Sequence, residues 1–338
     1  MCCLVAYAYA QKNVYSYSED YDLNTKHISD QFSVTSSNPL ASSINEIEDW
    51  SDDFSVPGII GTVYTSASDG KNLYLGGKFQ SAGGITANGI VKWDGQKWIP
   101  FGEAAENGVT AKSAGDVPSV EAIAYTDGRL FIGGQFRSAG SLDVNGIAFW
   151  DGNKWNSLGP DSTNGVRRKI VVENDTIITS GFVYALYVHN QKLYVGGHFN
   201  LAGNQDANGV AVWDINSGTW DTMQGGLQGH NEMDPVYAYT FAARGDTVFV
   251  GGKFLTAGGV STRHIAGWNG ETWFHAGISE GYVYDMKFDQ NGHLHAAGYF
   301  STEFDSTCSG IGKWDGKNWI SIPRPGNFKC DIKKNVIS

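Results

Sequence analysis

Short runs of alternating apolar and polar residues, each closed by a glycine-containing turn, fill most of the chain from Gly61 onward. That two-residue period belongs to half-buried β-strands, and no long stretch carries the three-to-four spacing of an amphipathic helix. The runs recur as a unit. LYLGGKFQSAGGITANGIVKWDGQKW (Leu73–Trp98) returns as LFIGGQFRSAGSLDVNGIAFWDGNKW (Leu130–Trp155) and LYVGGHFNLAGNQDANGVAVWDINSGTW (Leu193–Trp220). It returns again as VFVGGKFLTAGGVSTRHIAGWNGETW (Val248–Trp273) and LHAAGYFSTEFDSTCSGIGKWDGKNW (Leu294–Trp319). The first tryptophans of these copies lie 57, 63, 55 and 46 residues apart.

An apolar stretch precedes each copy: GTVYTS from Gly61, SVEAIAY from Ser119, FVYALYV from Phe182, PVYAYTF from Pro235 and YVYDMKF from Tyr282. Each unit therefore predicts four strands: a, this apolar stretch; b, the run into the glycine pair; c, the run into the first tryptophan; and d, from the second. Four strands per such period is the blade of an all-β, antiparallel β-propeller, here of five blades, with six as the alternative. The glycine pairs predict close approach of a neighbouring blade. A two-residue turn at Asp94-Gly95 would set Trp93 diagonal to Trp98, and a four-residue loop would pair them directly; either way both lie on one face.

The pattern LYVGGxFxxAGGxxxNGIAxWDGxxWxxLG resembles the kelch-like propeller repeats of fungal cortical polarity-marker proteins and of many bacterial secreted proteins. The resemblance covers about Trp50 to Ile322 and implies a propeller without specifying an activity. No Tyr-Cys-His set matches the copper site of the related galactose-oxidase propellers, and no cofactor is implied.

Charge and boundaries refine this. A net charge of −11 with no basic stripe excludes nucleic acid as a partner class. No apolar run is long enough to span a bilayer. Residues 1–10 end in Ala8-Tyr9-Ala10, an A-x-A-like cleavage pattern without a basic n-region, which reads as a truncated signal peptide. Residues 11–49 are polar and free of the motif, an extension or linker. The propeller runs over 50–322, with Trp50 as a ring-closing strand or the remnant of a sixth blade, and 323–338 form a tail. Cys308 and Cys330 remain after the leader and are candidates for a disulfide in an oxidising compartment. KIVVENDTIITS predicts a hairpin inserted between units two and three, with a glycosylation sequon at Asn174.

In a repeat protein, positions that differ between matching copies escape the shared packing constraint. One set follows the strand-a valine: Tyr64, Glu121, Tyr184, Tyr237 and Tyr284. Another follows the glycine pair: Lys78, Gln135, His198, Lys253 and Tyr299. Tyrosine faces with a hydroxyl suit sugars or peptides, although the same residues could simply fill space between blades. Three features break the repeat: Glu121, Asp285, and Arg263-His264 in place of Asn-Gly. Glu121 and Asp285 are the carboxylate pair that a glycosidase reading would need. His293 and His295 share a strand face but lack a third ligand nearby in sequence, so no metal site is expected. The expectation is an exported or surface-displayed, non-catalytic binding propeller for a glycan or protein, with a carbohydrate-active enzyme or one module of a larger adhesin as alternatives.

Overall fold

The computed structural model describes residues 58–322, apart from 104–106, 112–116, 174, 232–233, 279, 302–309, 315 and 317. Cys308, Cys330, Asn174, Trp50 and the first ten residues lie outside the described residues. Among the described residues every regular element is a strand.

Five antiparallel sheets carry the repeats, each in the order a-b-c-d, and the first has a short fifth strand, Ile85–Thr86, paired to strand b. Their inner strands are Ile59–Ser68, Ser119–Thr126, Phe182–His189, Tyr237–Arg244 and Glu280–Phe288. Each packs on the inner strand of the next blade in sequence, and the chain is a β-propeller. The outer hairpin closes with a four-residue loop, so each tryptophan pair is in direct register (Trp93↔Trp98 and its four counterparts) with ring centroids 5.0–5.5 Å apart. In four blades the second indole donates its N–H to the preceding blade. Trp155 reaches Phe101 O at 3.4 Å, Trp220 Leu158 O at 3.1 Å, Trp273 Met223 O at 2.8 Å and Trp319 Ala276 O at 2.8 Å.

The two glycines of each pair do different work. A Cβ on the first would meet the next blade: at Gly133 it would lie 2.4 Å from Val183 Cγ1, and at Gly251 2.8 Å from Val283 Cγ1. A Cβ on the second would strike its own inner strand, 2.0 Å from Ser119 O at Gly134 and 1.9 Å from Phe182 O at Gly197. That crowding comes from a β-bulge that recurs in all five inner strands and throws one residue out of the ladder.

The Asn-Gly motif joins blades. Asn88, Asn145 and Asn208 each donate a side-chain N–H to the linker leaving their own blade and accept a backbone N–H from it. The linker strands Val109–Thr110, Val166–Val172 and Leu227–Gln228 then pair with the b–c hairpin of the following blade. The second of them extends into the inserted hairpin, which turns between Val172 and Asp175.

No comparable packing joins the inner strands of blades 1 and 5 among the described residues. Val63 is only half-buried where Val120, Val183 and Val283 are fully buried, and Ile60 is 75% exposed. Ala297 replaces the first glycine of blade 5 and is also half-buried, so its extra methyl meets no described blade.

Candidate functional site

The bulge decides which inner-strand side chains leave the ladder. It places Tyr64, Glu121, Tyr184 and Tyr284 at one equivalent position, between Val63/Thr65, Val120/Ala122, Val183/Ala185 and Val283/Asp285. In blade 4 the bulge falls between Ala238 and Thr240, so the equivalent residue is Tyr239 and not Tyr237. This corrects the alignment by two residues: PVYAYTF holds two Val/Ala-Tyr steps, and only the pairing of Ala238 with Gly252 selects between them.

Tyr237 instead occupies a second tier. It pairs with Lys253, as Thr62 pairs with Lys78, Ser119 with Gln135, Phe182 with His198 and Tyr282 with Tyr299. The two sequence sets therefore belong to one end of the same inner hairpins.

In blades 3 to 5 these side chains meet. Tyr239 lies between Tyr184 (5.7 Å between centroids) and Tyr284 (5.5 Å), and stacks on Tyr237 at 5.8 Å and 11°. His198 sits 4.7 Å from Tyr237, and His264 meets Tyr282 edge-on at 6.0 Å. The Lys253 ammonium lies over both Tyr237 (5.8 Å) and Tyr282 (5.4 Å). Attraction to two ring quadrupoles holds it there, and it has no carboxylate partner among the described residues. The hydroxyls of Tyr184, Tyr237, Tyr239, Tyr282 and Tyr284 hydrogen-bond to no other protein group among the described residues.

Desolvation marks the same cluster. Burial, reinforced by Tyr237, pushes Tyr184 up to about 12, and burial together with the surrounding tyrosines raises Tyr239. Burial first and Arg168 second lower His198 to about 4; burial, then Arg263 and Lys253, lower His264 to about 4. Both imidazoles are neutral at pH 7.

Arg263 and His264 stand where other copies have Asn-Gly, and both hold left-handed backbone (φ 49° and 66°). That conformation costs non-glycine residues on the order of 1–3 kcal/mol and concentrates at functional positions. His264 is 7% exposed, and its Nδ1 has no hydrogen-bond partner among the described residues. The inserted hairpin carries Arg168, whose charge helps lower His198, and is tied to blade 3 by Lys169 and Asn200, which exchange two hydrogen bonds (2.7 and 2.8 Å). Its far part exposes Val171, Val172, Ile177 and Ile178.

Glu121 accepts a hydrogen bond from Ser119 Oγ at 2.8 Å in blade 2. Asp285 accepts from Met286 N at 2.8 Å and from Thr240 Oγ1 of blade 4 at 3.3 Å. Asp285 is exposed, yet the protein atoms packed around its carboxyl desolvate it and raise its pKa. The two carboxyls belong to blades 2 and 5, which are not neighbours. His293 and His295 both meet Asp289 Oδ2 (3.2 and 3.1 Å), a carboxylate that their spacing did not reveal; among the described residues no group of three metal-binding side chains forms a metal site. A separate groove of about 640 Å³ lies at the outer hairpins of blades 2 and 3, between Arg129, Phe149 and Trp213.

No family model and no curated protein matches the chain. Among solved structures, YCF48 bound to D1 peptide is similar at 12% identity and a TM-score of 0.39, over 79% of this chain and 73% of that one. YjhT is similar at 14% identity and a TM-score of 0.39, over 72% and 75%.

Proposed function

We propose that this chain is an exported or surface-displayed binding propeller, without catalytic activity, that takes a glycan or protein ligand at the tyrosine-lined end of its inner hairpins. The observation that supports this best is the group of five half-buried tyrosines from three blades, whose hydroxyls reach solvent and have no protein partner among the described residues. Aromatic faces from neighbouring blades with accessible, protein-unpaired hydroxyls supply the apolar surface and convergent polar groups that a ligand site needs. Tyr237 and Tyr282 also stand where the repeats diverge, against Thr62, Ser119 and Phe182 in the other blades, so shared packing does not account for those two.

The test is a glycan array together with a panel of surface proteins, probed with the full chain and with Tyr239→Ala and Tyr184→Ala. Loss of binding in both variants, with an unchanged circular dichroism spectrum, supports the reading. Binding that survives both would refute it. The enzyme alternative gains nothing from Glu121 and Asp285, each of which is engaged within its own blade or its blade boundary; turnover of any polysaccharide by the same sample would reinstate it. Export predicts a mature chain beginning at Gln11 and a Cys308–Cys330 bond, both visible in an intact-mass measurement on the natural material.

A further inference from the structure

The tyrosine cluster carries a charge that the rest of the molecule does not predict. The chain has a net charge of −11, yet the Lys253 ammonium lies over the rings of Tyr237 and Tyr282, and the charge of Arg168 is felt at Tyr184 and His198. The Lys253 ammonium rests on two aromatic faces, which hold it in place without using its three N–H donors. A half-buried cation without a carboxylate partner among the described residues is complementary to an anion, and such charge-assisted hydrogen bonds are about twice as strong as neutral ones.

The rest of the cluster specifies what should accompany that anion. Tyr184, Tyr239 and Tyr284, one from each of three successive blades, form an arc with 5.7 and 5.5 Å between neighbouring centroids. Flat faces at such intervals suit successive rings of a saccharide chain, and unpaired phenol hydroxyls suit its hydroxyl groups. Neutral, half-buried His198, 4.7 Å from Tyr237, adds a donor or acceptor position without charge.

We infer that this end of the propeller takes an acidic polysaccharide, with sugar rings along the Tyr184–Tyr239–Tyr284 arc and a uronate carboxylate at Lys253. The inference rests on the binding reading above and narrows it to one ligand class. An acidic peptide would also pair with Lys253, and polyglutamate is the probe that separates it from a polysaccharide. A nucleic acid would stack, but its dense phosphate charge is opposed by the net charge of the chain.

The experiment is isothermal titration of the full chain with polygalacturonate, its fully methyl-esterified form, polyglutamate and oligodeoxythymidylate. Polygalacturonate is expected to bind, and the ester about tenfold or more weaker. Lys253→Met should cost about the same factor against the acid and nothing against the ester. Lys253→Gln and Arg168→Gln, with folding checked by circular dichroism, serve where Lys253→Met is unstable. Absence of polygalacturonate binding overturns the inference. So does equal affinity for acid and ester, an acid affinity untouched by Lys253 substitution, or equal binding of polyglutamate or the oligonucleotide. If neutral glycans bind and Tyr239→Ala abolishes that binding, the binding reading stands and only the acidic preference falls.

Discussion

Gly133→Ala probes the blade interface most directly. The new methyl would sit 2.4 Å from Val183 Cγ1 and 2.9 Å from Val183 Cβ, in the next blade. Val183 is β-branched and fully buried, so it cannot swing aside. Overpacking of this kind costs about 1–3 kcal/mol, and the smaller chain entropy of unfolded alanine returns about 0.4–1 kcal/mol. The net expectation is a loss of about 0.5–2 kcal/mol. A domain of this size shifts by about 2–4 °C per kcal/mol, so the melting temperature should fall by roughly 1–8 °C. The matched control is Ala297, where the chain already carries the methyl and no described blade opposes it. Ala297→Gly should therefore relieve no clash and lower the melting temperature slightly, through chain entropy alone. Circular dichroism melts of both variants make the comparison. A Gly133→Ala protein as stable as its parent, or a clear gain from Ala297→Gly, would show that the first glycine is not a contact point between blades.

The indole latch predicts a similar asymmetry. Trp273→Phe leaves the Met223 carbonyl without its 2.8 Å partner and should cost about 1–3 kcal/mol, whereas Trp98→Phe, which breaks no described bond, should cost less in the same denaturant titration. His198 and His264 have folded pKa values lowered to about 4, below the ordinary 6.5, so between these values the unfolded state binds more protons. Stability should accordingly fall as pH drops from about 6.5 toward 4, and the slope should flatten in a His264→Gln variant; an unchanged slope in that variant would contradict the burial argument for His264. Asp289 holds the turn between strands a and b of blade 5 through the N–H groups of Asn291 and His293 (2.9 and 2.8 Å). Asp289→Ala should speed amide exchange at both positions without altering the tyrosine cluster; unaltered exchange would show that the turn holds without it.

The blade was legible in the chain because its packing constraints repeat. Glycine pairs, tryptophan pairs and turns recur in step, and each marks a contact present in several blades. The Asn-Gly step was visible only as a pattern, because its partner is a linker strand of no fixed sequence that meets it 19 residues later. Tyr239 was missed for a different reason. A two-residue shift preserves the face on which every side chain lies, so PVYAYTF fits either register until the bulge is seen. The repeat positions pointed to Tyr184, Tyr237 and Tyr284 one by one and passed over Tyr239 and Tyr282. Their meeting depends on the packing of three blades, which no spacing within a single repeat encodes.

Hydrogen–deuterium exchange with and without a bound glycan, polygalacturonate or the strongest binder of the array, tests the central claim directly. Protection is predicted at the tyrosine end of the inner hairpins, in residues 182–185 and 196–198, 237–240 and 251–253, and 281–285 and 297–299. Protection confined to the outer groove at Arg129, Phe149 and Trp213, with the tyrosine end unchanged, would contradict it.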